Sequence, residues 1–468
     1  MSLYQRLEQA LAARERDGTL RELPLVSYSD NRIVLDAQSY LDLSSNDYLG
    51  VARDPKYIRT FLNTMLDTER SGSEFAGHFL MSAINTGSTG SRLLTGNHSF
   101  FFYVEELIAS LYNRDQPGTE ASQTESDAAH LGADSTVLGE CTADFGAADL
   151  GAGVVSAAPS AGTGTATEKE SGAAEPWVSL YLSSGFEANV GILSTLFGKH
   201  DLLLVDKLAH ASIIDGMLKS EAKALRYRHN DMEHLAALLA AHADSYENVC
   251  IVTESVFSMD GDQAKLAEIV ALKQRYPNVL LYVDEAHSFG LFGARGLGLC
   301  EELGLLPSVD FLMCTLSKAI GSYGAFLLCK PVVKNYLVNF MRPLIYSTAL
   351  PAVNISFSLY ILGLLHSSSL QAKRLYLRKI TAYLHSNLRE MGLTPSQSQI
   401  QPLITGDNDK AALACSAFKR AGMLAMPIRY PTVPKGQARL RLSLSSCLSI
   451  DDIDRITRVI AHCRHLFV

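Results

Sequence analysis

The sequence predicts an α/β fold: a large, mostly parallel sheet domain sandwiched by helices, plus a smaller α+β C-terminal domain. Two observations carry this. From Trp177 onward, apolar strand-like runs at 178–182, 202–205, 249–253, 279–283, 311–315 and 325–328 alternate with helical stretches, the pattern of a sheet buried on both faces. Two of these runs end in chemistry-bearing residues, Asp284-Glu-Ala-His287 after one and Ser317-Lys318 after another. Polar strand ends of one parallel sheet converge on one crevice.

The elements follow in order. Residues 1–50 read as an amphipathic helix, a polar turn and a short hairpin around Ile33-Val-Leu35 and Tyr40-Leu-Asp-Leu43. From 51 to 113 the pattern is helical, broken by Thr86-Gly-Ser-Thr-Gly-Ser-Arg92 and resumed in a long amphipathic helix over 98–112. Residues 115–176 are rich in Ala, Gly, Ser, Thr and acids, with almost no bases. Such a segment cannot bury enough apolar surface to order itself, so it reads as a low-complexity insertion. From about residue 350 helices dominate, with a few strands such as Arg439-Leu-Arg-Leu-Ser-Leu444. The expected division is 1–50, 51–349 and 350–468.

Bulk numbers narrow the function. The 468 residues are 47% hydrophobic and 19% charged, enough for a large core and two domains. A net charge of −8 argues against a nucleic-acid groove. There is no run of eighteen apolar residues, so no membrane span is expected. The N-terminal helix carries acids and does not read as a signal peptide. The eight cysteines are scattered without a C-x-x-C pair. They read as thiols of a reducing cytoplasm rather than a disulfide or zinc framework, and no metal is expected.

A lysine leaving a buried strand is partly desolvated. That lowers its pKa and makes it a nucleophile for an aldehyde. Taken alone, Lys318 would read as a solvated strand end and Asp284-Glu285 as a cap. Together, a Schiff-base lysine and an acid able to hold a pyridinium nitrogen are what pyridoxal phosphate chemistry requires. Ser183-Ser-Gly185-Phe186 leads into a helix with Asn189 in its first turn, where backbone amides can hold a phosphate or simply turn the chain. His210 follows a strand, with Ser212 two residues on. Ser258 sits before Asp260-Gly261-Asp262, a grouping that equally suits a tight turn.

Several motifs in the same order resemble the α-oxoamine synthase family of fold-type-I pyridoxal phosphate enzymes. They are Ser44-Ser-Asn-Asp-Tyr-Leu-Gly50, Gly87-Ser-Thr-Gly-Ser-Arg92, Ser184-Gly-Phe-Glu-Ala-Asn189 and His229-Asn-Asp231. Val283-Asp-Glu-Ala-His287, Thr315-Leu-Ser-Lys318, Arg429-Tyr-Pro-Thr-Val-Pro434 and Ala438-Arg-Leu-Arg-Leu442 complete the set. The resemblance spans nearly the whole chain except 115–176 and a lengthened stretch near 70–84. It implies that Lys318 holds the cofactor covalently, Asp284 keeps the pyridine nitrogen protonated, and His210 stacks on the ring. His287, Ser258, Thr315, Gly185 and Phe186 are implied as further cofactor contacts. Arg429 is implied as the arginine fork for the amino-acid carboxylate, with Arg21 and Thr432 as other substrate contacts. Thr89 departs from the pattern, standing where a second glycine is usual.

The implied reaction condenses L-alanine with a pimeloyl thioester, on coenzyme A or a carrier protein. It loses CO2 and gives 8-amino-7-oxononanoate and free thiol in biotin biosynthesis. A cytoplasmic homodimer is implied, with active sites at the subunit interface. The nearest alternatives are glycine C-acetyltransferase, 5-aminolevulinate synthase and a long-chain synthase using serine. A non-catalytic partner subunit would be expected to lack Lys318. A Rossmann dehydrogenase would need G-x-G-x-x-G spacing after a strand, which Gly87-Ser-Thr-Gly90 does not provide.

Overall fold

A computed structural model of the chain describes residues 1–16, 19–20, 23–29, 32–70, 83–114, 175–430 and 432–468, without the side chains of 66–70. Arg21, most of the lengthened stretch (71–82) and nearly all of the insertion (115–174) lie outside the described residues. The chain divides into two compact units. The larger comprises 54–257 and 263–374, the smaller 1–53, 258–262 and 375–468.

The larger unit opens with helices α2 (Pro55–Arg70) and α3 (Ser99–Asn113). Then come β4 (Val178–Leu182), α4 (Gly185–Leu196), β5 (Asp201–Asp206), α5 (Ala211–Lys219), β6 (Lys223–Tyr227) and α6 (Met232–His242). After β7 (Asn248–Glu254) follow α7 (Leu266–Lys273), β8 (Val279–Asp284), the short α8 (Leu299–Glu302), β9 (Phe311–Thr315) and β10 (Ala325–Cys329). Helices α9 (Pro331–Phe340), α10 (Arg342–Tyr346) and α11 (Ala352–Gly363) complete the unit.

The seven strands form one sheet in the order β4-β10-β9-β8-β7-β5-β6. Strands β6, β5, β7, β8 and β9 run parallel, and β10 is antiparallel to both its neighbours. The reason for the reversal lies in chain length. Residues 316–324 between β9 and β10 are too few for the crossover that a parallel strand needs. That short connection carries Lys318. One sheet face packs Leu203, Val205, Val252, Tyr282 and Met313 against Ile192 and Leu193 of α4 and Ile213 and Met217 of α5. Truncating any of these to alanine costs about 2–5 kcal/mol.

Helix α3 buries an acid, Glu105, among Phe101, Val104 and Ile108. Its charge is met by Arg92 Nη1 at 2.7 Å, Lys334 Nζ at 2.8 Å and the Tyr181 amide at 2.8 Å. At the end of α3, the Asn113 side chain donates to the Trp177 carbonyl at 2.9 Å and accepts the Trp177 amide at 3.0 Å. The two flanks of the insertion therefore meet. The Gly/Ser segment docks on the residues before α11: Ala349 N–H donates to Gly90 O at 2.9 Å and Ser88 Oγ to Leu350 O at 2.5 Å. Thr89 sits there in the left-handed region, φ +52°.

The smaller unit joins both chain ends. Helix α1 (Leu3–Arg16) buries no residue. Strands β1 (Val26–Ser29), β2 (Arg32–Leu35) and β3 (Gln38–Asp42) are antiparallel, and β3 pairs in parallel with β12 (Met423–Leu424). A second sheet orders β11 (Ile400–Gly406), β14 (Ala438–Ser443) and β13 (Met426–Ile428). Helices α13 (Asn408–Arg420) and α14 (Ile450–His462) complete it. Helix α12 (Ser368–Glu390) spans the division between the units. The loop 258–262 belongs here because arginines hold it. Arg441 Nε donates to Ser258 O at 2.6 Å, and Arg439 bonds Asp260 and, at 3.2 Å, Met259 O.

Candidate active site

The C-terminal ends of the parallel strands assemble the site in the larger unit. Asp284 ends β8 and is 4% exposed. Its Oδ1 accepts the Ala286 amide at 2.8 Å, and its Oδ2 accepts Asn189 Nδ2 at 2.8 Å. Among the described residues it has no ion-pair partner. A buried carboxylate served only by neutral donors is poised for a cation.

Asn189 is fixed in turn. Its Oδ1 accepts the Tyr282 hydroxyl at 2.6 Å, and its Nδ2 also donates to Ser212 Oγ at 2.9 Å. It stands five residues into α4, one turn beyond the expected first turn, because Ser184 caps the helix by accepting the Glu187 amide at 3.2 Å. That extra turn aims the side chain into the sheet rather than at the helix N-terminus.

Ser212 Oγ lies 2.8 Å from Nδ1 of His210, the N-cap of α5, and the Ser212 amide donates to the same nitrogen at 3.2 Å. With Nδ1 accepting, the ring is neutral and carries its proton on Nε2. Desolvation lowers the His210 pKa, and Lys318 adds to this, while Asp284 opposes it. His210 is nevertheless solvent-exposed as a residue.

Lys318 lies in the β9–β10 connection. Its Nζ is 2.7 Å from His287 Nε2. The connection is tight: Leu316 N–H donates to Gly324 O at 2.9 Å, and Gly321 N–H to Lys318 O at 2.9 Å. Thr315 Oγ1 donates to Gly324 O at 3.0 Å and contacts Ser317 Oγ at 3.0 Å. A Cβ on Gly185 would stand 3.6 Å from that of Thr315, so the start of α4 lies against the end of β9. Phe186 beside it is half exposed. Glu285 points to the other sheet face, where Leu299 N–H, Cys300 N–H and Ser288 Oγ donate to it at 2.8, 2.7 and 2.6 Å.

Lys318, His287, Asp284, His210, Thr315, Gly185 and Phe186 thus share one unit, and the first four are joined by hydrogen bonds or direct electrostatic interaction. Ser258, Arg429 and Thr432 lie in the smaller unit, where Thr432 N–H donates to Arg429 O at 2.9 Å. The contacts of Asn189, Ser212 and Tyr282 with this network were not legible in the sequence. Neither was the place of Glu254, although it ends an apolar run just as Asp284 does.

Residues 169–460 match the family model of aminotransferase class I and II. The chain is 37% identical to 8-amino-7-oxononanoate synthase of Chlorobaculum parvum over 98% of both chains. With that of Haemophilus ducreyi the identity is 35%, over 94% of this chain and 96% of the relative. The chain belongs to this family. It is a pyridoxal-phosphate-dependent acyltransferase of the 8-amino-7-oxononanoate synthase kind.

The fold class agrees with solved structures. Serine palmitoyltransferase of Sphingomonas wittichii superposes with a TM-score of 0.75 at 26% identity, covering 99% of this chain and 98% of that one. The 8-amino-7-oxononanoate synthase of Francisella tularensis superposes at 0.63 and 23% identity, covering 90% and 97%. The residues present fit the cofactor: a lysine against an imidazole, an exposed histidine, and a buried carboxylate that has no ion-pair partner among the described residues.

Proposed function

We propose that this enzyme condenses L-alanine with a pimeloyl thioester, releasing CO2 and thiol to give 8-amino-7-oxononanoate in biotin biosynthesis. The full-length identity to 8-amino-7-oxononanoate synthases supports this substrate pair. The chemistry rests on one observation, the Lys318–His287 contact at 2.7 Å in the same unit as the buried Asp284, which is served by neutral donors.

Pyridoxal phosphate, when bound, supplies the aldehyde that takes the amino acid and the ring that delocalises the carbanion. Lys318 would hold the resting cofactor and then move the proton at the amino acid's Cα. His287 keeps the lysine amine in place. Asp284 would keep a proton on the ring nitrogen, and Asn189 orients that carboxylate. His210 would stack on the ring. Thr315, Gly185, Phe186 and Ser258 would complete the cofactor's contacts. The family resemblance gives Arg429 the substrate carboxylate, with Arg21 and Thr432 as further contacts.

The decisive assay offers alanine, glycine and serine in turn with acetyl, pimeloyl and palmitoyl thioesters. We expect alanine with the pimeloyl donor to give the highest kcat/KM by at least tenfold. A long-chain synthase using serine is the second reading, favoured by the TM-score of 0.75 to serine palmitoyltransferase. Preference for serine and the palmitoyl donor would replace the first reading with it.

A homodimer is part of the proposal. Val332, Tyr336 and Phe340 form an exposed apolar stripe at helical spacing on α9, and Leu94 and Tyr346 are exposed as well. Ultracentrifugation of active protein at monomer mass would end this part. Among the described residues Cys250, Cys300, Cys314, Cys329 and Cys463 are buried, which suits the proposed cytoplasmic location. Among the described residues no single helix is long and apolar enough to cross a membrane.

A further inference from the structure

Glu254 is a buried acid beside the site that the mechanism above does not use. It ends β7, is 2% exposed, and stands in register with Asp284 on the neighbouring parallel strand. Register partners in a parallel sheet project from the same face, so the two carboxyl groups share one low-dielectric strand end. Glu254 Oε1 accepts the backbone N–H of His210 at 2.6 Å. His210 is the N-cap of α5, so this bond fixes the residue from which the imidazole projects.

We propose that Glu254 is a positioning residue that works as an uncharged carboxylic acid. It anchors the His210 backbone and leaves the cofactor's ring nitrogen to Asp284. This rests on the proposed reading of the site. Two adjacent buried carboxylates cannot both ionise cheaply, and the proton goes to the one with fewer donors. Asp284 accepts from an amide side chain and a backbone amide. Glu254 accepts one backbone amide.

The surrounding charges point the same way. Asp284 approaches from β8, Asp206 from β5, His210 from the α5 cap and Lys318 from the β9–β10 connection. Asp206 is already engaged by His229 Nδ1 at 2.9 Å. Burial raises the Glu254 pKa well above the carboxylate range, Asp284 and Asp206 add to this, and Lys318 opposes it.

The test compares Glu254→Ala, Glu254→Gln and Glu254→Asp in the full-length holoenzyme. Glutamine keeps the acceptor and the neutrality; alanine removes the acceptor. We expect Glu254→Ala to lower kcat at least thirtyfold with KM changed less than threefold, and to shift the cofactor's visible absorption. Glu254→Gln should recover kcat to within about fivefold of native. The second readout is the melting midpoint against pH. A carboxyl whose pKa is raised on folding stabilises below its unfolded pKa, and that stability is lost as pH rises through the folded value.

The Glu254→Gln protein should therefore gain on the native protein between pH 5 and pH 8.5, by roughly 2 °C or more. A gap that stays flat or reverses, or a Glu254→Gln enzyme as impaired as Glu254→Ala, means the acid works ionised and overturns the proposal. So does a Glu254→Ala enzyme within threefold of native kcat. If Lys318→Ala abolishes turnover while Glu254→Ala does not, the proposed function stands and only this inference fails.

Discussion

Adjacent carboxylates in this protein have separate work because a strand sends them to opposite faces. Asp284 faces the crevice; Glu285 satisfies the α8 amides and Ser288. We expect Asp284→Asn to lower kcat by a hundredfold or more with little change in melting. Glu285→Gln should instead lower stability by about 1–3 kcal/mol, because a buried acceptor for three donors is altered, while kcat falls less than fivefold. Equal losses of turnover in the two variants would contradict the assignment. Lys318→Ala should remove the visible absorption of the bound cofactor before any amine is added, and a retained band would show another lysine at work.

At low pH, His385 should weaken the fold. This residue is 8% exposed on α12, and burial pulls its pKa down to about 4, helped by Arg389. A histidine with a lowered folded pKa stabilises above its unfolded value, and that stability is lost as pH falls through the folded one. Between about pH 6.5 and pH 4 the smaller unit should lose on the order of 2–3 kcal/mol. Urea unfolding of His385→Gln across that window should show a flatter dependence; an unchanged slope would place the acid sensitivity elsewhere.

Elements with a clear period were legible. The six runs expected from Trp177 onward are all strands of one sheet, because strands buried on both faces are apolar throughout. What the sequence hid depends on contacts far apart in the chain. Helix α11 reads as the start of a C-terminal domain. Its buried Ala352, Ile355, Ile361 and Leu362 keep it in the larger unit, which continues to Arg374. Asn189 was noticed, but its partners are 23, 93 and 95 residues away and leave no local signature.

Thr89 was legible as a departure, and the structure gives it a measurable consequence. A β-branched residue at φ +52° is strained by about 1–2 kcal/mol, which glycine would relieve. Glycine also widens the unfolded ensemble by about 0.5–1 kcal/mol, offsetting part of the gain. We expect Thr89→Gly to raise the melting midpoint by roughly 2 °C. A lower midpoint would mean that the threonine side chain holds this segment in place.

At the scale of the whole molecule, residues 115–174 dominate the charge. They hold ten acidic residues against one lysine, so without them the net charge moves from −8 to +1. Replacing these 60 residues with about eight of Gly and Ser lowers the loop-closure cost by about 2 kcal/mol. We expect the shortened protein to bind cofactor and turn over within threefold of the full chain. A tenfold change in the thioester KM would give the acidic stretch a part in handling the acyl donor, worth about 1.4 kcal/mol.

The paired hydrogen bonds between Asn113 and Trp177 carry a consequence for the continuity of the polypeptide itself. Those bonds hold the two flanks side by side, so a covalent link between them is not needed to bring them together. Cut there, the protein becomes two pieces. The first contributes β1–β3 and α3, and the second the seven-stranded sheet. Strand pairing between β3 and β12 and the burial of α3 would act as the adhesive. Co-expressed as 1–114 and 175–468, the pieces should co-purify as a yellow complex. A gene for this enzyme could therefore be split at this point.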